Sequence, residues 1–256
     1  MTGLNSDEIR HLEDLTLLVW PPAETDRLDG WVMAFDRGVT HRANAVFPNT
    51  WSGRRDLAEA ISEAERRYWD RGLPPTFKLT SASMPAELDR VLAGAGYWKE
   101  GAADVMVAGA DQVATACGVA NDVIMLDSPE DGWTTAAGWQ PESNPSHDVR
   151  RHIVGRIAEP RAFAVVENDG QPAGAAAGVV RGGWAYLCAV HTRPEFRGRG
   201  IGRALIGSLA GWAAESGAAR LFVPVEIDNP RAKALYERCA LRTAYRYYYR
   251  VASAAP

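Results

Sequence analysis

The run Arg197-Gly198-Arg199-Gly200-Ile201-Gly202-Arg203 joins three glycines to three arginines, between a predicted strand and a predicted amphipathic helix. Glycines there let the backbone approach a ligand and turn successive N–H groups toward one point, and the helix N-terminus adds partial positive charge. Arg197, Arg199 and Arg203 add full charges suited to a pyrophosphate. The spacing Gly198-x-Gly200-x-Gly202 is not the dinucleotide fingerprint, and no Gly-Lys-Ser/Thr string follows it, which disfavours NAD and ATP.

With its flanks, this segment resembles the acyl-CoA site of the GNAT superfamily of N-acetyltransferases. The superfamily's loop signature, Arg/Gln-x-x-Gly-x-Gly/Ala, is matched by Arg197, Gly200 and Gly202. Upstream, Trp184-Ala-Tyr-Leu-Cys-Ala-Val190 is similar to the strand whose backbone pairs with pantetheine. Downstream, Asn229-Pro-Arg-Ala232-Lys-Ala-Leu235-Tyr236 is similar to the family's Asn-x-x-Ala-x-x-Leu-Tyr helix. One departure is Ala240-Leu241, where that helix usually ends in Gly-Phe.

The resemblance implies acetyl-CoA, or another acyl-CoA, as co-substrate, with no metal. It implies that Cys188, Ala189 and Val190, the loop residues Arg197, Gly198, Arg199, Gly200, Ile201, Gly202 and Arg203, and Asn229 bind it. It implies Tyr236 as the general acid that protonates the leaving thiolate, since a buried phenol near the sulfur can donate. Backbone amides of Ala189 and Val190 would polarise the thioester carbonyl. Asn229, just before Pro230, serves equally well as a helix cap.

An alkylamine of pKa about 10.4 is protonated at neutral pH, so direct attack on a thioester needs a proton acceptor. Several relatives carry a glutamate where this chain has Pro224; Glu226 is the nearest carboxylate and is the expected base. His191 could instead act through water. Cys188 fits a small apolar strand residue better than a nucleophile, because no partnered His and Asp/Asn pattern accompanies it.

These residues need a scaffold. Val123–Leu126 reads as a strand, Ser128-Pro129 as a helix entry, and Val149, Ile153 and Ile157 as one helix face. Three antiparallel strands follow, Ala162–Glu167, Ala173–Val180 and Trp184–Val190, separated by the hairpin signals Asn168-Asp169-Gly170 and Gly182-Gly183. Ile201, Leu205, Leu209 and Trp212 mark a helix closed by Gly217. Strand Leu221–Val225, a helix from Pro230 and strand Thr243–Arg250 complete the chain.

The first half opens with a helix carrying Ile9, Leu12, Leu15 and Val19 behind Ser6, stopped by Pro21-Pro22. Extended runs Trp31–Phe35 and Val39–Val46 flank Asp36-Arg37-Gly38, read as a hairpin turn. Helix (Leu57, Ile61, Ala64, Tyr68), strand (Phe77–Thr80), helix (Leu88, Val91, Leu92, Ala95) and strand (Val105–Ala108) follow, the order in which the second half also ends. The expected architecture is therefore α/β: two GNAT-like lobes, each a mixed, mostly antiparallel sheet flanked by helices, with strands splayed at the acyl-CoA site. Residues 1–112 form a degenerate lobe and 118–256 the catalytic domain. The first lobe has Pro48-Asn49-Thr50-Trp51-Ser52-Gly53 where a cradle would fall, and Val91 and Leu92 where a tyrosine would be needed.

Of the 256 residues, 46% are hydrophobic and 23% charged, the balance of a globular chain with a sizeable core. A net charge of −4 argues against binding nucleic acid by blanket phosphate neutralisation. Cys117, Cys188 and Cys239 are far apart and in no metal-binding or redox spacing. The first apolar patch, Leu15–Trp20, is too short for a signal peptide or membrane span, so a cytoplasmic protein is expected, monomeric or homodimeric, with an Ala-rich disordered tail after Val251. The expected function is transfer of an acetyl group to a primary amine of a small molecule or protein. The alternatives are a non-catalytic acyl-CoA-binding regulator and a protein modifier with a shallow groove.

Overall fold

The structure is a computed structural model that describes residues 3–118, 120, 122–140 and 144–253. The chain divides into two compact units, residues 1–104 with 245–256, and residues 105–244.

The first unit opens with α1 (Ser6–Val19). Its N-cap is Asn5, one residue before the expected Ser6, because the Glu8 carboxylate reaches back to the Asn5 amide while Asn5 accepts from the Glu8 amide. Next comes β1 (Glu24–Leu28), a strand not expected from its polar sequence, joined to β2 (Trp31–Phe35) by Asp29 and Gly30, both at positive φ. The expected extended run Val39–Val46 is instead a 3-10 turn at His41–Ala43 and a short β3 (Val46–Phe47). The Asn44 side chain accepts from the amides of Asp36 and Gly38 and folds that segment on itself.

Further along are α2 (Leu57–Trp69), β4 (Thr76–Thr80), α3 (Leu88–Gly94) and β5 (Trp98–Gly109), whose residues from Val105 belong to the second unit. The last strand of the chain pairs antiparallel with β4, Tyr247 opposite Thr80 and Val251 opposite Thr76. Beyond it, Ala252 N–H donates to Pro75 and Ser253 Oγ to Gly96, so the expected disorder after Val251 does not begin there; 254–256 lie outside the described residues. The loop around Trp51 is filled by its own side chains. Trp51 stacks on Trp31 at 4.9 Å, Asn49 bonds Asp14, and Thr50 Oγ1 donates to the Gly30 carbonyl.

The second unit contains α4 (Ala110–Cys117), β6 (Val123–Leu126), α5 (Asp131–Ala136), α6 (Pro145–Gly155), β7 (Arg161–Asn168), β8 (Gln171–Arg181), β9 (Trp184–Thr192), α7 (Ile201–Glu215), β10 (Arg220–Glu226), α8 (Pro230–Arg238) and β11 (Arg242–Val251), which leaves the unit after Ala244. Its strand order is β10-β9-β8-β7-β6, antiparallel except for the parallel β9–β10 pair. The two hairpins turn through Asp169-Gly170 and Gly182-Gly183, all at positive φ, as expected.

Helix α7 is the keystone of this unit. Leu205, Ile206, Leu209 and Ala210 are fully buried among Ala164, Ala176, Leu187 and Leu221, and a buried leucine or isoleucine contributes about 1.5–3 kcal/mol. The sheet lets the helix come close because β8 supplies glycine: a Cβ on Gly174 would lie 2.5 Å from Ile201 Cγ2. On its other side, a Cβ on Gly207 would meet the Gly118 carbonyl oxygen at 2.1 Å. Helix α7 is thereby held against β8 at its first residue and against the end of α4 at Gly207.

Candidate active site

Strands β9 and β10 run side by side only at their start, from Arg220 opposite Trp184 to Phe222 opposite Tyr186. Beyond that pairing they part. Pro224, near the parting, has no N–H to offer a neighbour. On its other edge β9 bulges: Ala175 faces His191 and Ala177 faces Cys188, so Ala189 and Val190 together oppose the single Ala176. Ala189 takes φ 52°, a left-handed conformation rare for an alanine. The bulge releases main-chain groups of Ala189 and Val190 from the regular ladder, which gives β9 a stretch able to bond a ligand. The Ala176 carbonyl opposite it accepts from the buried Trp133 indole N–H at 2.9 Å.

Beside the end of β9, bordered by the loop after it, the start of α7 and α8, there is a cleft of about 690 Å³. Val190, Gly198, Gly200, Ile201 and Gly202 line it, and Arg197, Arg203, Arg231 and Arg238 surround it. Gly200, at φ 84°, is the N-cap of α7 and provides no side-chain cap, and the first turn contains no acidic residue. Amides of that turn are therefore left for an external acceptor. Helices α1, α2, α6 and α8 are each capped by an Asn or Asp side chain, whereas α3, α4 and α5, like α7, have no side-chain cap; of these only α7 opens onto the cleft. An uncapped helix end ringed by guanidinium groups suits a phosphate-bearing ligand, and the cleft behind it suits a pantetheine arm.

Tyr236 is buried and lines the same cleft. Burial, reinforced by the neighbouring Cys188 and Cys239 thiols, pushes its phenol well above the ordinary value, so it stays a proton donor across the neutral range. Asn229 also lines the cleft while its Oδ1 accepts from the Ala232 amide, so it caps α8 as well. Cys188 is buried in β9 directly before the bulge. Arg199 is directed to Asn168, with its Nη1 3.1 Å from Oδ1. Glu226 is exposed at the end of β10 and is not among the residues lining the cleft.

Sequence reasoning did not single out Arg231 or Arg238. They stand at i and i+7 on α8 with Leu235 at i+4, a spacing that could have revealed one face turned to the ligand. Thr192 and Phe196 also line the cleft. So does His191, whose Nδ1 lies 2.8 Å from the Ala136 carbonyl oxygen at the end of α5. Among the described residues no group of His, Cys, Asp and Glu is arranged to hold a metal ion, and no helix is long and apolar enough to cross a membrane.

Comparison with known proteins agrees with this fold. A family described as "Probable histone acetyltransferase Rv0428c C-terminal" matches residues 6–250. The chain is 28% identical over 254 residues to the Bacillus subtilis (strain 168) protein named "Uncharacterized N-acetyltransferase YobR", covering 96% of this chain and 99% of that one. Its fold is similar to a GCN5-related N-acetyltransferase from Kribbella flavida, with a TM-score of 0.70 at 15% identity over 100% of this chain and 98% of that one. It is also similar to a tandem GNAT protein from the clavulanic acid biosynthesis pathway, with a TM-score of 0.62 at 16% identity over 96% and 88% of the respective chains. With a match that runs from α1 to the last strand, the chain belongs to the Rv0428c C-terminal family of the GNAT superfamily and is an acyl-CoA-dependent acyltransferase.

Proposed function

We propose that the cleft bordered by the end of β9, the loop after it, α7 and α8 holds acetyl-CoA and that the protein transfers its acetyl group by direct attack to a primary amine of a small molecule or protein. The observation that carries this reading is the uncapped α7 N-terminus, among Arg197, Arg203, Arg231 and Arg238, opening into a cleft that also contains Tyr236. The pyrophosphate lies on the loop Gly198–Gly202, and the pantetheine arm runs along the bulged part of β9 near Cys188, Ala189 and Val190, with Asn229 opposite. There the thioester carbonyl receives main-chain N–H groups as negative charge develops on it, and Tyr236 protonates the departing sulfur.

The first unit is read as a degenerate copy that binds no acyl-CoA itself. In support, the loop at the position of a cradle is packed with Asn49, Thr50 and Trp51.

The test is titration calorimetry with acetyl-CoA on the wild type and on an Arg197→Glu, Arg203→Glu double variant, followed by thiol release against a panel of amines and basic peptides. Saturable binding that the variant loses, with amine-dependent thiol release suppressed by Tyr236→Phe, is expected. No binding by the wild type overturns the assignment of the cleft; binding without thiol release across the panel overturns the assignment of acceptor class.

A further inference from the structure

Attack by an alkylamine requires loss of an ammonium proton, yet among the described residues lining the cleft there is no carboxylate. The polar side chains there are those of His191, Thr192, Asn229, Tyr236 and the arginines Arg197, Arg203, Arg231 and Arg238. Hydroxyl and amide groups are not basic near neutrality, and arginine does not give up its proton. Imidazole is the side chain that exchanges a proton in that range.

The setting of His191 also selects its tautomer. A carbonyl oxygen only accepts, so the 2.8 Å contact with Ala136 O puts the proton on Nδ1 and leaves the Nε2 lone pair unprotonated in the neutral ring. Gly138, two residues beyond the end of α5, stands against the ring: a Cβ there would lie 3.4 Å from His191 Cε1. The ring is thus held by α5 and its following turn while its residue follows the bulge in β9.

We propose that His191 is the general base of the reaction, taking the ammonium proton of the acceptor on Nε2. This rests on the reading of the cleft given above. The proton moves from nitrogen to Nε2, the freed amine forms the C–N bond at the thioester carbon, and the C–S bond breaks with its electron pair on sulfur. The Tyr236 hydroxyl proton goes to sulfur, the second proton of the nitrogen restores the phenol, and the imidazolium returns its proton to water. One amide, one thiol and one released proton result.

The experiment compares wild type, His191→Gln and Glu226→Gln at one neutral pH, with an alkylamine acceptor and an alkoxyamine acceptor that is already unprotonated. Acetyl-CoA affinity is measured alongside by calorimetry. For His191→Gln, a fall in kcat of about 100-fold or more is expected with the alkylamine and little change with the alkoxyamine, with partial recovery on adding imidazole. Acetyl-CoA affinity should stay within about twofold by the same logic, since the base does not hold the cofactor. Equal losses with both acceptors, or an acceptor-dependent loss in Glu226→Gln instead, would overturn the role of His191 while leaving the cleft assignment intact. Failure of the wild type to bind acetyl-CoA would overturn both.

Discussion

The Leu241 amide donates to the Tyr236 carbonyl at 3.0 Å, closing α8 through Ala240 at φ 66°. The wrap is the one usually made with glycine, and an L-residue in the left-handed region costs about 1–2 kcal/mol, partly offset by glycine's larger unfolded-state entropy. Ala240→Gly should therefore raise unfolding stability by about 0.5–1 kcal/mol, read as a higher denaturant midpoint with unchanged slope. Turnover should persist, since the turn keeps its shape.

Gly202 serves packing as well as ligand access. A Cβ there would lie 2.9 Å from Leu235 Cδ2, so α7 and α8 touch at this point. Gly202→Val should cost about 1–3 kcal/mol and weaken acetyl-CoA binding, because it pushes apart the two helices that border the cleft. Adding Leu235→Ala should restore part of the affinity in calorimetry; an unchanged double variant would show that the contact does not govern the cleft.

Trp133 reaches from α5 to the Ala176 carbonyl opposite the bulge. Trp133→Phe should leave that buried acceptor without its donor, at a cost of about 1–3 kcal/mol in chemical denaturation. A cost near zero would mean another donor replaces the indole.

Glu63 provides an acid-limb prediction. Hydrogen bonds from Arg66 and Arg67 hold its carboxyl down to about 2, from an ordinary 4.5. Because the folded value is the lower one, the stabilisation is complete above 4.5 and is lost as pH falls toward 2. Glu63→Gln should lower Tm at neutral pH and flatten its decline across that window.

What was legible in the sequence was what short spacing encodes. The cradle, the α7 face and the Asp169-Gly170 and Gly182-Gly183 hairpins depend on glycines or on apolar residues a few positions apart, so their structure could be read locally. Strand β1, Glu-Thr-Asp-Arg-Leu, carries no apolar alternation; the Asp29-Gly30 turn after it was the available signal. Helix α4 (Ala110–Cys117) follows Gly109 without a side-chain cap, so alanine's helix propensity over its few residues was the local signal available. The supports of Ala176 and His191 come from Trp133 and Ala136, 43 and 55 positions away, contacts that only the folded sheet creates.

The early parting of β9 and β10 bears on how a ligand arrives. Two adjacent strands would ordinarily zip along their length, and a molecule lodging between them would have to unfasten main-chain hydrogen bonds first. Here the pairing ends at Phe222, two residues before Pro224, which has no N–H. Beyond Phe222 the facing main-chain edge of β9 is thus already free of ladder pairing with β10 in the folded chain, so a molecule bonding to it has no such strand-to-strand bonds to displace.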